Sequence, residues 1–358
     1  MGHGVPVFWQ NSLERIREVA EGVRAGAARI LGLSCGGRPI HLIEYGHKQD
    51  LRRQANFSSA CSYRDPTVYA LKTADIKPVL LLVGATHGGE IEGISALLNL
   101  IQVLETGRDF EGKSRPEISK AAERFRILII PCLNPDGRAR VPFSVVSEVS
   151  PREVVYYKHG QWKDGTLSDY AEGFRLHPIL SGVDYLGGYY NDGGVNLSAD
   201  CFFNPMAAEN KLLMKLVDDE APDMTLLLHT GCHRHGKLMQ PHYIPGYMLE
   251  RILEFDEMLN TRFTENGYGY YTLEEHGVVY ADHMKYPPKG FGMSSAIIHT
   301  CGGLCAVYES YEATWEKEDP YWCGNILDCH FMLFEEALTY ARRDEARWPG
   351  SAGKRRDA

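Results

Sequence analysis

The chain reads as an α/β protein, a single domain with a mixed, largely parallel twisted sheet covered by helices on both faces. Three observations predict this. Five short apolar runs rich in β-branched residues recur along the 358 residues without polar alternation, as in strands buried on both faces. Stretches of helical period separate several of them. Gly or Pro bounds the runs. Composition agrees: 44% hydrophobic and 24% charged residues are ordinary globular usage. A chain this long buries roughly 75% of its unfolded surface without staples.

Leu13, Ile16, Val19, Ala20, Val23 and Ala27 recur at helical spacing, predicting a helix over Ser12–Ala28 with Asn11 and Glu14 as a capping box. Pro39–Tyr45 and Val79–Val83 are the first two strands. Ile91–Leu104 is apolar nearly all round, so it is a buried helix. Phe125–Ile130 is the third strand. The stretch 141–192 is rich in Tyr and Gly and poor in helical period; it reads as an insertion, and long insertions often carry function. Asn204 caps a helix with Pro205 in its first turn, and Pro222 follows its end. Met224–Leu228 and Leu304–Tyr308 complete the strands. Tyr247–Asn266 is a helix closed by Gly267, and Ile326–Arg343 is the last helix. The domain is expected to span 1–345, with 346–358 a flexible polar tail.

The net charge is −9 and the pI about 5.9, which argues against a nucleic-acid binder. No run of about 18 apolar residues offers a membrane span. Nine cysteines, an odd number without a C-x-x-C pair, read as reduced thiols. The N-terminus lacks the apolar core of a signal peptide, so a cytoplasmic location is expected. Nothing in the pattern speaks to oligomeric state.

Chemistry concentrates at strand ends. VLLLV runs into GATHGGEIEG, where His87 and Glu90 stand three residues apart among glycines that let a ligand approach. MTLLLH ends in His229, and LCAVYES carries Glu309, with Glu312 as a rival. Taken singly, these are also a surface His beside a capping Glu, a core histidine and a structural ion pair. Together each sits at the carboxyl end of a strand, where α/β sheets place their sites. Two His and one Glu form the ligand set of a catalytic zinc with an open position, and a further Glu supplies a general base.

These residues resemble the zinc carboxypeptidases, the carboxypeptidase A-like metallopeptidases. LGLSCGGRPIHLIEYG is similar to the family's G-x-S-x-x-G-R-P-I pattern at Gly32, Ser34, Gly37, Arg38, Pro39 and Ile40; His87 and Glu90 match H-x-x-E; Asn134-Pro135-Asp136-Gly137 matches N-P-D-G. The resemblance covers roughly Ile30 to Ser310. It implies one zinc held by His87, Glu90 and His229, with Glu309 as the base. It also implies an oxyanion arginine, for which Arg138 and Arg140 are the candidates, and a tyrosine over the substrate, for which Tyr286 lies nearest and Tyr280 is the alternative. Asn134, Asn196 and Ser198 are expected to bind substrate, a peptide or small acyl amino acid.

One departure matters. Where the family reads G-V-D-x-N-R-N/D-F, this chain reads GGVNLSADCFF, so Ser198 and Ala199 replace the Asn–Arg pair that grips a C-terminal carboxylate. Arg175 or Arg234 would have to substitute, or the substrate presents no carboxylate there. Gly89 also stands where some members carry an Arg. Cys232, His233 and His235 crowd after His229, as a polar loop or a second metal group, and Asp200 orients a ligand or caps a turn. The expected activity is zinc-dependent hydrolysis of an amide bond. The alternatives are an N-acyl amino acid or amide deacylase of the aspartoacylase and desuccinylase type, an inactive binding module on the same fold, and more remotely a Cys232–His233 nucleophile.

Overall fold

The computed structural model describes residues 5–169, 171–205, 207–277 and 286–343. Ten strands appear among the described residues: β1 (Ala27–Leu33), β2 (Pro39–Tyr45), β3 (Val79–Gly84), β4 (Arg126–Ile130), β5 (Gln161–Trp162), β6 (Val183–Tyr185), β7 (Met224–Thr230), β8 (Gly236–Met239), β9 (Tyr270–Tyr271) and β10 (Leu304–Ser310). Eight form one sheet in the order β1-β2-β4-β3-β7-β10-β8-β9, while β5 and β6 pair separately. The centre, β4-β3-β7-β10, is parallel, and antiparallel pairs flank it at β2–β4 and β10–β8. This is the expected mixed α/β sheet.

Every residue of β3, β4 and β7 is buried, which explains their unbroken apolar runs. Helix Glu92–Thr106 packs against helices Pro116–Ala122 and Cys323–Tyr340, and ends at Gly107 with φ +77°. The parallel register lets β3, β7 and β10 end together, so the residues after each strand meet in one crevice.

The differences from the sequence reading are local. The first helix is Leu13–Gly22, capped by Ser12 Oγ, which accepts from Arg15 N at 3.1 Å, not by an Asn11–Glu14 box. Ala27 and Ala28 open β1 instead of extending that helix. β1 is an edge strand, exposed along most of its length, so burial left no alternation to read. The helix expected from Asn204 starts at Ala208, because the Asp200 carboxylate takes Ala207 N at 3.1 Å and Asn210 Nδ2 at 3.0 Å. The insertion holds a helix, Pro151–His159, behind a Ser150–Glu153 capping box. Helix Met293–Cys301 and strands β8 and β9 had no sequence assignment. The last helix ends at Tyr340, and the tail 346–358 lies outside the described residues. All nine cysteines are free thiols. No helix among the described residues is long and apolar enough to cross a membrane.

His330 is buried in the last helix. Its Nδ1 faces Ile326 O at 2.8 Å, and Nε2 has no partner. Burial pushes its pKa down to about 4. The unfolded chain, titrating near 6.5, therefore binds the extra proton first, and stability is lost as pH falls below about 6.5. Denaturant unfolding at pH 7 and pH 5 should show wild type losing up to about 2 kcal/mol more than His330→Leu over that interval. Parallel losses would contradict this.

Candidate metal centre

β3 runs into a loop, 85–91, that is bent from its first residue: Ala85 sits at φ +46°, a region non-glycine residues seldom adopt. Two neighbours hold the bend. Leu133 N and Asn134 N donate to Gly84 O and Ala85 O at 2.9 and 3.0 Å, and a Cβ on Gly88 would run into the backbone of Gly137 and Arg138. From the other side Gly88 N donates to Gly188 O at 2.7 Å. The loop that presents His87 and Glu90 is thus wedged between the N-P-D-G turn and the insertion.

Asp136 of that turn accepts from Ser34 Oγ (2.6 Å), Gly36 N (2.8 Å), Arg38 (2.8 Å) and Asp192 N (3.1 Å). Burial opposes its charge, yet these donors hold its carboxyl below the ordinary value. The G-x-S-x-x-G-R-P-I and N-P-D-G motifs are therefore two halves of one clamp.

His87, Glu90 and His229 are all buried, and one donor atom from each lies within 4.8 Å of the others. Among the described residues this is the one such cluster of three or more. His87 Nδ1 is 2.7 Å from Glu90 Oε1, and His229 Nδ1 is 2.8 Å from Glu90 Oε2. The second contact is a close ion pair without hydrogen-bond alignment. Burial would raise the Glu90 pKa, but the two imidazoles hold it well below the usual range. Burial would lower that of His229, but Glu90 and Glu309 raise it. Two imidazole nitrogens and a carboxylate oxygen, all buried and converging on one point, are a donor set that fits a zinc ion.

Asn196 and Ser198, expected to bind substrate, lie against His87. Asn196 Oδ1 lies 3.1 Å and Ser198 Oγ 3.3 Å from His87 Nε2. An Nε2–H donated to Asn196 would let Nδ1, which faces Glu90 Oε1, turn its lone pair to a metal when one is bound. Tyr189 stacks on the same ring at 3.7 Å between centroids. Asn134 caps the N-P-D-G turn through Gly137 N at 2.8 Å.

Glu309 stands in register beside His229 across β10–β7, and Lys237 Nζ lies 2.8 Å from its Oε2. Arg138 is tied to Asn11 and to the carbonyls of Val141 and Phe143. Arg140 is tied to Asp192 and the carbonyls of Gly187 and Tyr190. Tyr286 is 95% exposed, and Tyr280 lies outside the described residues. Arg234 pairs with Glu275 at 3.1 Å over the Tyr271 ring, and Arg175 is exposed. His235 uses both nitrogens, toward Gly269 N and Pro320 O, and the Cys232 thiol is buried with its pKa pushed up, so neither is set up as a ligand or nucleophile.

Sequence reasoning missed Lys158 and Glu92. Lys158 Cγ lies 2.9 Å from where a Cβ on Gly89 would stand, so the absent side chain at 89 makes room for it. Its buried ammonium pairs with Glu312; burial would lower its pKa, but Glu312, Glu92 and Glu90 raise it. Glu92 accepts from Thr230 Oγ1 (2.8 Å) and Ala313 N (3.0 Å), joining the ends of β7 and β10. Gly89, already conspicuous in the sequence, was the one available signal for Lys158.

Comparison with known proteins adds a similarity over part of the chain. The zinc carboxypeptidase family's sequence model matches residues 27–145. Similar solved structures include a metallo-carboxypeptidase from Burkholderia cenocepacia, at 15% identity and TM-score 0.57, covering 91% of this chain and 67% of that one. A metallo-carboxypeptidase from Pseudomonas aeruginosa, in complex with (2-guanidinoethylmercapto)succinic acid, matches at 14% and 0.53, covering 93% and 68%. Carboxypeptidase A from Helicoverpa armigera matches at 13% and 0.52, covering 95% and 74%. At these identities the likeness is one of fold, and the chain spans about two thirds of the length of the first two. A comparison with curated protein sequences gave no match.

Two substitutions test the centre by elemental analysis and competitive chelation. His229→Ala should abolish stoichiometric zinc. Asn196→Ala, which removes the nearer of the two partners of His87 Nε2, should weaken zinc about 10- to 100-fold. Unchanged affinity in both would exclude this ligand set.

Proposed function

We propose that this chain, a divergent relative of the zinc carboxypeptidases, is a hydrolase of amide bonds that works with one zinc ion held by His87, Glu90 and His229. The observation that carries this reading is the meeting of those three donors within 4.8 Å, with Glu309 in register beside His229. Zinc, when bound, supplies Lewis-acid chemistry, activating water and polarising the scissile carbonyl. Glu309 takes a proton from the attacking water and returns it to the departing nitrogen. Lys158, a buried cation bordering the ligand loop, supplies the positive charge for the developing oxyanion. Its ammonium is held by Glu312, whereas the guanidinium groups of Arg138 and Arg140 are each held by three or more acceptors.

Ala199 offers no donor to a substrate carboxylate, and Arg234 pairs elsewhere. That favours a substrate gripped by other contacts, which keeps acyl amino acids beside peptides as the substrate class. A cavity of about 790 Å³, lined mainly by Phe203, Tyr243, Ile244, Pro245 and Phe291 with Lys289 and His299 among them, borders the Ser198 loop, where a Cβ on Gly292 would stand 3.2 Å from Ser198 O. It would suit an apolar substituent.

Glu309→Gln should lower kcat at least about 100-fold with zinc content unchanged. A wild-type rate would remove Glu309 from the mechanism, and full loss in Glu312→Gln alone would move the role there. Amidating the C-terminus of an accepted peptide should change kcat/KM little. A loss of about a thousandfold would reveal a carboxylate clamp, since paired charge-assisted bonds contribute roughly 1.5–3 kcal/mol each.

A further inference from the structure

β7, β10 and β8 are neighbours, and their registers align one residue of each. Glu309 pairs with His229 on the parallel side and with Lys237 on the antiparallel side. Residues directly opposite in register point to the same face. His229, Glu309 and Lys237 therefore form a row across three strands, at steps of about 4.8 Å. Resting on the reading of Glu309 as general base, we infer that Lys237 is a positioning residue that holds the Glu309 carboxylate in its working orientation.

Lys237 Nζ lies 2.8 Å from Glu309 Oε2, and the lysine side chain is only 9% exposed. A buried ammonium needs a partner, and this carboxylate is the one found among the described residues. The backbone that carries Lys237 is pinned. Tyr308 OH donates to His235 O at 3.2 Å, His235 binds on both ring nitrogens, and Gly236 leaves room for the Tyr308 ring. A fixed stem loses little further freedom when its ammonium is held in place. The lysine engages Oε2 and leaves Oε1 available. The carboxylate faces Gly231, two residues beyond His229, where a Cβ would lie 3.5 Å from Oε2. The glycine keeps the space between the carboxylate and the exit of β7 open. In the proton step Oε1 accepts the proton and later releases it to the leaving nitrogen, while Lys237 keeps all three of its own. Losing Lys237 frees the carboxylate to rotate, and such a misplacement costs rate without costing substrate affinity.

The test compares Lys237→Met, Lys237→Arg, Glu309→Gln and the Lys237→Met/Glu309→Gln double variant. Lys237→Met should lower kcat about 10- to 100-fold, with KM and zinc content unchanged. Lys237→Arg should recover most of the rate. The double variant should be no slower than Glu309→Gln alone, because the lysine acts through the glutamate. In the metal-free protein, the ¹⁵N–¹H correlation of a slowly exchanging lysine ammonium should be visible and should vanish in Glu309→Gln. A wild-type kcat in Lys237→Met with an inactive Glu309→Gln overturns the inference but spares the base. Full activity in Glu309→Gln overturns the base itself. Zinc loss or parallel changes in kcat and KM in Lys237→Met mean a merely structural lysine. Should that variant not fold, the arginine variant and the ammonium signal still decide.

Discussion

Glu90 sits in a protein interior with almost no water to solvate its charge, and an uncompensated carboxylate there would cost several kcal/mol. It is tolerated because two imidazoles reach it, one from its own loop and one from the end of β7. That requirement fixes much else. β3 and β7 must end level, the loop after β3 must turn at once, and His87 must be steadied on its far side by Asn196 and Tyr189. The parallel sheet meets the first condition, the turn at Ala85 held by Leu133 and Asn134 the second, and the edge of the insertion the third.

Charge around the centre is distributed differently from the pattern the sequence resembles. Guanidinium groups at 138 and 140 brace loops, and 89 and 199 carry none. Two buried lysines flank the crevice instead, Lys158 against Glu312 and Lys237 against Glu309. An ammonium is a compact charge on a flexible stem, whereas a guanidinium is a planar fork suited to gripping carboxylates in pairs.

The parts of the fold legible in sequence were those buried on every side. The four parallel strands at the centre of the sheet announced themselves as apolar runs, and with them the strand-end positions of His87, His229 and Glu309. Edge elements were not legible. β1 is mostly exposed, while β8 and β9 are too short to show a period. Helix Pro151–His159 was hidden by its aromatics, although Ser150 and Glu153 marked its start. The partners of site residues were hardest to see. Lys158 and Lys237 lie far from the ligand motif along the chain, and only tertiary packing brings them in. Asn196 was noticed for substrate, and its place behind His87 depends on a loop path that no local pattern encodes.

The wedging of the ligand loop has a thermodynamic consequence. Gly188 N donates to Tyr157 O at 2.7 Å, Tyr189 N donates to Lys158 O at 2.8 Å, and the Tyr189 ring lies on His87. The insertion and the ligand histidine are therefore parts of one cooperative unit. Any species that binds only the assembled loop stabilises both by the same mass-action increment. A metal held at the centre would thus be coupled to the order of the insertion, and a substitution that loosens the Tyr157–Tyr189 contacts would draw on its affinity from a distance.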